Sequence, residues 1–279
     1  MEWFEERLET AEGRTVRIGV TAKRACVRSP YQTIEVFDTV SFGRMLVHDG
    51  VIMATERDEA HYHEMIVHVP LAVHPAPRRV LVIGGGDGGT VREVCRHAGV
   101  EEIDLCEIDE QVVTVCREYF PGLTGGFADP RVALHFADGA KWVAEHPGYY
   151  DVILVDSSDP IGPAEVLFRR EFFASLHGAL REDGIAVTQS ESFHYHERII
   201  GQISRFGREI FPVYRYYYTL IPTYPSGVIG FSFLSKRFDP LRDGDPGRLP
   251  FLADLKYYTP EIHRAAFVLP AFTRAFLPD

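Results

Sequence analysis

From residue 79 onward, short apolar runs alternate with amphipathic stretches, and this alternation limits the possible folds more than any other feature of the chain. The runs and stretches predict strands at residues 80–83, 103–107, 132–136, 152–155 and 185–189, and helices at 90–98, 110–120, 169–180 and 196–211. Two further strands, 213–220 and 228–234, predict a terminal hairpin that makes the last strand antiparallel. Repeated βα units build a mostly parallel sheet with helices on both faces, so the predicted fold class is α/β.

The first sixty residues have a different pattern, that of a small N-terminal β domain. Short β-rich runs occupy residues 14–20, 25–27, 33–37, 44–47 and 51–54. A helix is then predicted to begin at the capping box formed by Thr55 and Asp58 and to end at Pro70. We therefore expect a β domain over residues 1–55 and a catalytic domain over residues 56–279.

The composition and the net charge exclude several classes of protein and of binding partner. Hydrophobic residues make up 46% and charged residues 25% of the 279 residues, so disordered and fibrous classes are excluded. No apolar run approaches the roughly 18 residues of a membrane span, and the acidic start MEWFEE is unlike a signal peptide. We therefore expect a cytoplasmic protein that does not bind membranes. The net charge of −11 disfavours nucleic acid as a partner but permits cationic ligands.

Neither the cysteines nor the histidines have the spacing of a metal site. No two of the four cysteines form a C-x-x-C pair, so we expect buried free thiols at Cys26, Cys95, Cys106 and Cys116. His63 and His68 follow H-E-x-x-x-H, one residue longer than the zinc motif, which sets them about 140° apart around a helix. His194 and His196 are too isolated to assign. No metal site is predicted.

The glycine-rich segment at residues 84–89 follows a predicted strand and opens a predicted helix. It matches G-x-G-x-x-G, and Glu107 ends the next strand about twenty residues later, where such an acid takes a ribose hydroxyl pair. Nicotinamide enzymes and adenosyl-sulfonium enzymes share this pattern. Asp87 favours the second class, because a carboxylate in the loop would repel a pyrophosphate but attract a cationic nucleoside without phosphate.

Acidic residues also follow the other predicted strands: Asp138, Asp156, Asp159 and Glu191. Any one of them alone is typical of a helix cap. In an open α/β sheet, however, the carboxyl ends of the strands face the ligand crevice. Together with Asp87 and Glu107 they predict a site for an adenosine and for amines.

Short motifs in the same order along nearly the whole chain resemble those of the polyamine aminopropyltransferase family, most closely its spermidine-forming members. The matching segments are residues 29–32 (SPYQ), 47–51 (VHDGV), 55–59 (TERDE), 62–65 (YHEM), 84–89 (GGGDGG), 106–109 (CEID), 138–139 (DG), 156–160 (DSSDP), 162–164 (GPA), 223–227 (TYPSG), 256–258 (KYY) and 263–270 (HRAAFVLP). Their combination is specific, whereas the glycine motif alone is not.

The resemblance implies a fold and a reaction. The fold is a small N-terminal β domain followed by a Rossmann-like, methyltransferase-type sheet of seven strands. The reaction transfers the aminopropyl group of decarboxylated S-adenosylmethionine to putrescine and yields spermidine and methylthioadenosine. Decarboxylated S-adenosylmethionine is then a co-substrate, and no cofactor is expected. Family members are usually dimers or tetramers, so a homodimer or homotetramer is expected.

The resemblance also implies residue roles. The donor and its methylthioadenosine part would be held by Gln32, Asp87, Glu107, Asp138, Gly139, Asp156 and Pro163. The polyamine would contact Tyr62, His63, Asp87, Asp156, Asp159 and Tyr224. Asp156 would accept the proton with help from Tyr62, and residues 157–168 would close over the site. Glu191 is a candidate partner for the charged far end of the diamine, because that ammonium needs an anion.

One departure from the family leaves the acceptor open among putrescine, cadaverine, agmatine and spermidine. Members commonly carry a tryptophan three residues after the acid that matches Glu191, and this chain has His194 there. Three other functions remain as alternatives: a small-molecule methyltransferase on the same fold, a non-catalytic polyamine or nucleoside binder, and a nicotinamide dehydrogenase. The acid pair Asp156 and Asp159 disfavours the first, Asp156 with Tyr62 the second, and Asp87 the third.

Overall fold

Two sheets form the framework of the chain in the computed structural model, which describes residues 2–8, 10–160 and 162–277. The strands are, in chain order, β1 (Glu2–Glu5), β2 (Arg17–Arg28), β3 (Thr33–Thr39), β4 (Arg44–His48), β5 (Val51–Thr55), β6 (Arg79–Gly84), β7 (Glu102–Glu107), β8 (Val132–Phe136), β9 (Tyr150–Asp156), β10 (Leu180–Gln189), β11 (Val213–Leu220) and β12 (Val228–Ser235). The helices are α1 (Glu59–Val73), α2 (Gly89–Cys95), α3 (Glu110–Tyr119), α4 (Pro121–Thr124), α5 (Gly139–Glu145), α6 (Arg170–Ala179), α7 (Glu197–Ile210) and α8 (Pro260–Ala265).

The first sheet is an antiparallel meander of β1 to β5 in sequence order. It differs from the prediction in two ways. Strand β1 was not expected, and the run at 25–27 and residues 17–20 of the run at 14–20 belong to the single strand β2. The pairing of β2 with β3 shifts register twice, between Val20 and Ala22 and between Lys23 and Ala25. Each irregularity interrupts the two-residue alternation by which a strand is predicted, so one strand was read as two.

The second sheet has the order β11-β12-β10-β9-β6-β7-β8. Neighbours from β10 to β8 are parallel, whereas β12 is antiparallel to both β10 and β11. The last strand is thus antiparallel, as predicted, and lies between β10 and β11. The α/β class, with a Rossmann-like sheet of seven strands and a small N-terminal sheet, is confirmed.

Helices cover both faces of the seven-stranded sheet, because successive residues of a strand point to opposite sides. In β6, Val80 and Val82 pack in the core that contains α1 and α2, and Leu81 and Ile83 pack in the core that contains α6 and α7. Helix α3 packs instead on the N-terminal sheet, where its apolar residues meet those of β3 and β4. The N-terminal sheet is thereby held beside the edge where β6 and β7 end.

Helix α1 is buried along almost its whole length, and both of its predicted ends are wrong. Pro70 does not stop the helix, which continues to Val73. It lies in the last turn, where its missing N–H costs a single backbone bond within a fully packed element. At the other end Asp58 is the N-cap residue without capping through its side chain. Asp58 instead accepts hydrogen bonds from the hydroxyls of Thr55 and Thr223, at 2.5 and 2.8 Å, and ties the start of α1 to the turn before β12.

Smaller differences concern element boundaries. Helix α5 was not predicted, and α2 ends three residues before residue 98. Asp183 and Gly184, which follow the predicted helix at 169–180 and precede the predicted strand at 185–189, lie within β10, whose register against β9 shifts between Leu180 and Ile185. Cys106 and Cys116 are buried as expected, Cys95 is partly buried, and Cys26 is exposed on β2, contrary to the prediction. Within the described part of the chain, no helix has the length and apolar character to cross a membrane.

Candidate active site

A cavity with a volume of about 340 Å³ opens where β6, β7, β9 and β10 end, and residues of both sheets line it. Its lining includes the acidic residues of the strand ends, namely Asp87, Glu107, Asp138, Asp156, Asp159 and Glu191. It also includes Gln32, Tyr62, His63, Gly139 and Tyr224. Pro163 belongs to the 3₁₀ helix Gly162–Phe168, but its side chain is outside what the structure describes. So many carboxylates around one cavity favour a cationic ligand.

The glycine loop lets three elements approach each other closely. Gly84 has a φ of 76°, and a Cβ atom there would overlap the backbone carbonyl of Asp156, its partner on β9. A Cβ atom on Gly89 would overlap the imidazole ring of His63. Only glycine fits at these two positions, so the loop can carry Asp87 between α1 and the end of β9.

Asp156 lies at the end of β9 and accepts a hydrogen bond of 2.6 Å from the hydroxyl of Thr90. Burial, and after it the negative charge of Asp87, raises the pKa of Asp156 to about 6. Hydrogen bonds from Thr90 and from the buried Tyr62 oppose this rise. A carboxylate of this kind is suited to accept a proton near neutral pH.

His63 lies between two carboxylates. Its Nδ1 atom is 2.7 Å from Oε2 of Glu59, and its Nε2 atom is 3.4 Å from Oδ2 of Asp87. A carboxylate can only accept, so both ring nitrogens carry protons and the ring is cationic. His63, Asp87 and Asp156 have atoms within 4.8 Å of one another that could ligate a metal. A doubly protonated ring offers no lone pair, so we assign no metal to this group.

The remaining histidines of interest also have polar partners. The Nδ1 and Nε2 atoms of His68 face His97 and Glu93, at 3.0 and 3.1 Å, away from His63. His74 forms a second group with Asp151 and Asp183 that could hold a metal ion. However, Nδ1 of His74 accepts from the backbone N–H two residues later, which leaves the proton on Nε2, 3.8 Å from Asp183. A neutral ring with its proton on Nε2 offers no free lone pair toward Asp183, so we assign no metal to this group either.

The nucleoside end of the cavity, as the sequence predicts it, contains Glu107 and Gln32. Glu107 accepts backbone hydrogen bonds from Gly86 and Asp109, at 3.2 and 2.8 Å. Burial raises the pKa of Glu107 to about 7, although these backbone N–H groups oppose the rise. Gln32 donates to Asp109 at 3.0 Å, which fixes its amide at the cavity wall. Asp109, a residue that sequence reasoning did not assign to the site, therefore positions two predicted ligand contacts.

Asp138 caps a helix and also lines the cavity, so it is compatible with both roles that the sequence left open. Its Oδ1 atom accepts from the backbone of Ala140 at 2.9 Å and caps α5, while the residue also lines the cavity. Gly139, directly after it, allows Ile83 of β6 to pack against its backbone, because a Cβ atom there would overlap Ile83. The start of α5 is thus held against the end of β6.

The opposite end of the cavity is built around Glu191, which is buried and has a φ of 62°. Its Oε2 atom is 3.2 Å from Nδ1 of His196, and its backbone carbonyl accepts from the hydroxyl of Tyr216 at 2.7 Å. Tyr224 donates to the backbone of Met53 at 2.8 Å and joins the turn before β12 to β5. The positive φ of Glu191 costs energy in a residue other than glycine, and strained residues of this kind are common at functional sites.

Family models match the chain over most of its length. Residues 59–243 match the spermine/spermidine synthase domain, and residues 2–56 match the spermidine synthase tetramerisation domain. The chain belongs to the spermine/spermidine synthase family. It is an aminopropyltransferase, with aminopropyl transfer of the spermidine synthase type.

Individual relatives agree with this assignment. A polyamine aminopropyltransferase of Leptospira biflexa is 54% identical over 276 residues, which cover 99% of this chain and 98% of the relative. A spermidine synthase of Coffea arabica is 47% identical over 282 residues, which cover 98% and 89%. The crystal structure of spermidine synthase from Thermotoga maritima has a TM-score of 0.94 at 38% identity and covers 99% of this chain and 94% of that one.

The tetramerisation match supports an oligomer for this aminopropyltransferase. Strand β1 is at the edge of the N-terminal sheet, and about half of the Trp3 side chain on it is exposed. An edge strand with unpaired backbone groups and an exposed aromatic side chain is a surface on which another chain can pair.

Several cavity residues of the aminopropyltransferase were missed from the sequence. Two of them, Glu6 and Leu8, lie between β1 and β2. The other three, Gln189, Tyr195 and His196, lie around the end of β10. The ring of Tyr195 packs under the guanidinium of Arg14, 3.9 Å from its centroid. His194 is exposed and packs against Phe193 and Phe272 outside the lining. The signal that could have found Tyr195 and His196 is their position four and five residues after the predicted strand-end acid Glu191.

Proposed function

We propose that this aminopropyltransferase transfers the aminopropyl group of decarboxylated S-adenosylmethionine to putrescine and releases spermidine and methylthioadenosine. The observation that carries the proposal is the position of Asp156. Its carboxylate is hydrogen-bonded by Thr90 and Tyr62 and lies in the same cavity as Glu107 at one end and Glu191 at the other. The crystal structure of a spermidine synthase in complex with the transition state analogue AdoDATO, similar to this chain at a TM-score of 0.95 and 38% identity, supports this assignment.

The donor in this proposal lies along the glycine loop. Glu107 accepts the ribose hydroxyls, and Gln32, Asp138 and Gly139 contact the rest of the nucleoside. Asp87 receives the ammonium of the aminopropyl tail. The aminopropyl carbon that is bonded to the sulfonium sulfur then faces Asp156.

The chemical difficulty is the nucleophile rather than the leaving group. The amine nitrogen forms a bond to the carbon, the C–S bond breaks, and its electron pair stays on a neutral sulfur. A primary amine has a pKa near 10.4, so at pH 7 about one molecule in 10³ is the free base, which costs about 4.6 kcal/mol. Asp156 takes the proton from the attacking nitrogen, and Tyr62 orients that nitrogen. Holding both substrates in one cavity supplies much of the remaining rate.

The second ammonium of the diamine needs a negative group at the far end of the cavity. Glu191 is buried there with His196 beside it, and Asp159 lies near Tyr224. The distance between Asp156 and this end selects the length of the acceptor. The proposed reaction uses no metal and no nicotinamide, so dialysis against a chelator leaves turnover unchanged.

One competition assay tests the proposal. The enzyme is incubated with decarboxylated S-adenosylmethionine and an equimolar mixture of putrescine, cadaverine, agmatine and spermidine, and the products are identified by mass spectrometry. We expect methylthioadenosine and spermidine as the main products. A main product from another amine would overturn the acceptor, and the absence of methylthioadenosine would overturn the reaction. A parallel incubation with intact S-adenosylmethionine would reveal a methyltransferase by its S-adenosylhomocysteine.

For the assembly we propose a homotetramer rather than a homodimer, on the basis of the match to a tetramerisation domain. Light scattering on the purified protein measures the mass directly. A mass of two chains at micromolar concentration would overturn this choice.

A further inference from the structure

Glu59 is not part of the substrate contacts described above, yet its carboxylate is almost completely buried at the edge of the cavity. It lies one turn before His63 on α1, and the two side chains meet at 2.7 Å. The same carboxylate also accepts two hydrogen bonds from the guanidinium of Arg92, at 2.8 and 3.2 Å. Burial would raise the pKa of Glu59, but His63 and then Arg92 hold it down at about 2.

The result is a row of alternating charges that leads into the active site. Arg92 is paired on its other side with Glu93, at 2.8 Å, and on this side with Glu59. Glu59 is followed by the imidazolium of His63, and His63 by Asp87. Each buried charge in the row has an opposite neighbour, which offsets the cost of removing it from water.

The charged and titratable groups around His63 come from every element packed against it. They are Glu59 and Tyr62 on α1, Asp87 in the glycine loop, Arg92 on α2, Asp156 at the end of β9 and Lys256, whose ammonium is 3.9 Å from Glu59. Burial alone would lower the pKa of His63. Asp87 first, and then Glu59, outweigh that effect and hold the pKa well above its ordinary value.

We propose that Glu59 is a positioning residue that keeps His63 doubly protonated and directed at Asp87 throughout the working pH range. The inference rests on the proposed aminopropyl transfer only for its consequence in catalysis. Without the Glu59 carboxylate, the second N–H of His63 would face the guanidinium of Arg92 with no negative charge between them. The pKa of His63 would then fall, because burial opposes its charged form and only Asp87 would remain to raise it.

The consequence for the reaction follows from charge. The His63 imidazolium opposes the effect of Asp87 on Asp156 and so favours the ionised form of the base. It also donates a hydrogen bond that fixes the Asp87 carboxylate for the donor ammonium. At high pH Asp156, with its pKa of about 6, is ionised in either case, but Asp87 keeps its cationic partner only while His63 stays protonated, so loss of the imidazolium would lower activity there.

The first test reads the protonation of His63 without any assay of activity. Nitrogen-15 spectra of histidine-labelled wild type, assigned with His63→Gln, should show two protonated ring nitrogens for His63 from pH 6 to pH 8. In Glu59→Gln the titration midpoint should fall by about 1 to 3 pH units, the usual effect of removing an adjacent opposite charge. One unprotonated ring nitrogen in the wild type at pH 7 would overturn the proposal, even if the variant failed to fold.

The second test compares rates across pH. For Glu59→Gln we expect kcat/KM within about threefold of wild type at pH 6 but at least about tenfold lower at pH 8.5, since the midpoint moves by more than one pH unit. The matched control is Glu93→Gln, which removes a similarly buried carboxylate from Arg92 without touching His63. Its profile should keep the wild-type shape. A loss in Glu59→Gln that is equal at every pH would indicate a structural role only and would overturn the proposal. A wild type without aminopropyl transfer would refute the proposed function, whereas the spectra would still report on His63.

Discussion

Thr90 donates a hydrogen bond of 2.6 Å to Asp156 and thereby joins the first turn of α2 to the end of β9. The contact exists because β6 and β9 are neighbours in the sheet, with Gly84 opposite Asp156. The glycine loop that leaves β6 therefore passes over the carboxylate that ends β9. The residue that stabilises the proposed base comes from the helix after the glycine loop and not from the base's own strand.

Thr90→Val tests this contact. The hydroxyl lowers the pKa of Asp156, so its loss should raise that pKa and move the acidic limb of kcat/KM to higher pH. A hydrogen bond to a charged group contributes about 1.5 to 3 kcal/mol, so we expect a shift of about one to two pH units. Values of kcat/KM measured from pH 5 to pH 9 test this shift, and Thr90→Ser is the control because it keeps the hydroxyl. An unchanged acidic limb in the valine variant would contradict the assignment.

Asp156→Asn should remove most of the turnover and leave methylthioadenosine binding almost unchanged. Asparagine keeps the shape and can still accept from Thr90, but it cannot take a proton from the amine. Loss of a general base costs about 10² to 10⁴ in rate. Single-turnover rates and calorimetry with methylthioadenosine separate the two effects. Turnover within tenfold of wild type would mean that another group takes the proton.

Glu107 should release a proton when a nucleoside binds. Without a bound nucleoside the pKa of Glu107 is raised to about 7, so much of the residue is protonated below that pH. Two ribose hydroxyls that donate to the carboxylate favour its ionised form and lower the pKa. Methylthioadenosine affinity should therefore rise with pH up to about 7 and then level off.

Calorimetry in two buffers of different ionisation enthalpy measures that proton directly. In Glu107→Gln both the proton release and the pH dependence should vanish, and binding should weaken by about 1.5 to 3 kcal/mol, or roughly 10- to 150-fold. Proton uptake on binding to the wild type would show that the ribose does not meet an ionised Glu107.

The strand-end acids could be located from the sequence because parallel strands end at one edge of a sheet, wherever each strand lies within it. The neighbours of those acids depend on strand order, which the sequence did not reveal. Thr90 meets Asp156 only because β6 lies beside β9, although β7 and β8 separate them in the chain. The contact of Glu59 could not be predicted for the same reason, since its partner Arg92 belongs to another helix.

Local patterns failed where tertiary packing decided the outcome. Thr55 and Asp58 have the spacing of a capping box, but Thr223 from the other end of the domain competes for the Asp58 carboxylate. Pro70 has the signature of a helix end, but it sits where α1 is packed on all sides. Neither effect leaves a trace within a few residues of the motif.

Asp87 should discriminate between the decarboxylated and the intact donor, because the intact donor adds a carboxylate near it. Two like charges about 4 Å apart interact by about 4 kcal/mol at an effective dielectric of 20. The imidazolium of His63, 3.4 Å from Asp87, offsets part of this repulsion. We therefore expect a preference for the decarboxylated donor of about 1 to 2 kcal/mol, or roughly 5- to 30-fold. In Asp87→Asn that preference should shrink, as binding constants for both nucleosides will show, and equal weakening of both would assign Asp87 to the loop alone.

His194 occupies the position where family members commonly carry tryptophan, and the structure gives reason to expect little from exchanging it. Its ring packs against Phe193 and Phe272, with centroids 4.6 and 5.7 Å away, and it does not line the cavity. His194→Trp should therefore leave kcat/KM for diamines of three to five carbons within about threefold of the wild-type value. A substitution at an exposed position outside the cavity usually changes free energies by no more than roughly 0.5 kcal/mol.

Tyr195 is the matched comparison, because it follows directly in the chain and does line the cavity. Tyr195→Ala removes a ring that packs under Arg14 and opens the acceptor end to water. We expect the KM for putrescine to rise by up to about tenfold while the KM for the donor stays constant, as the loss of a partly exposed aromatic contact worth ~0.5 to 1.5 kcal/mol implies. If His194→Trp changed the preferred diamine length and Tyr195→Ala did not, the methylene groups of the diamine would have to lie beside His194 and not beside Tyr195.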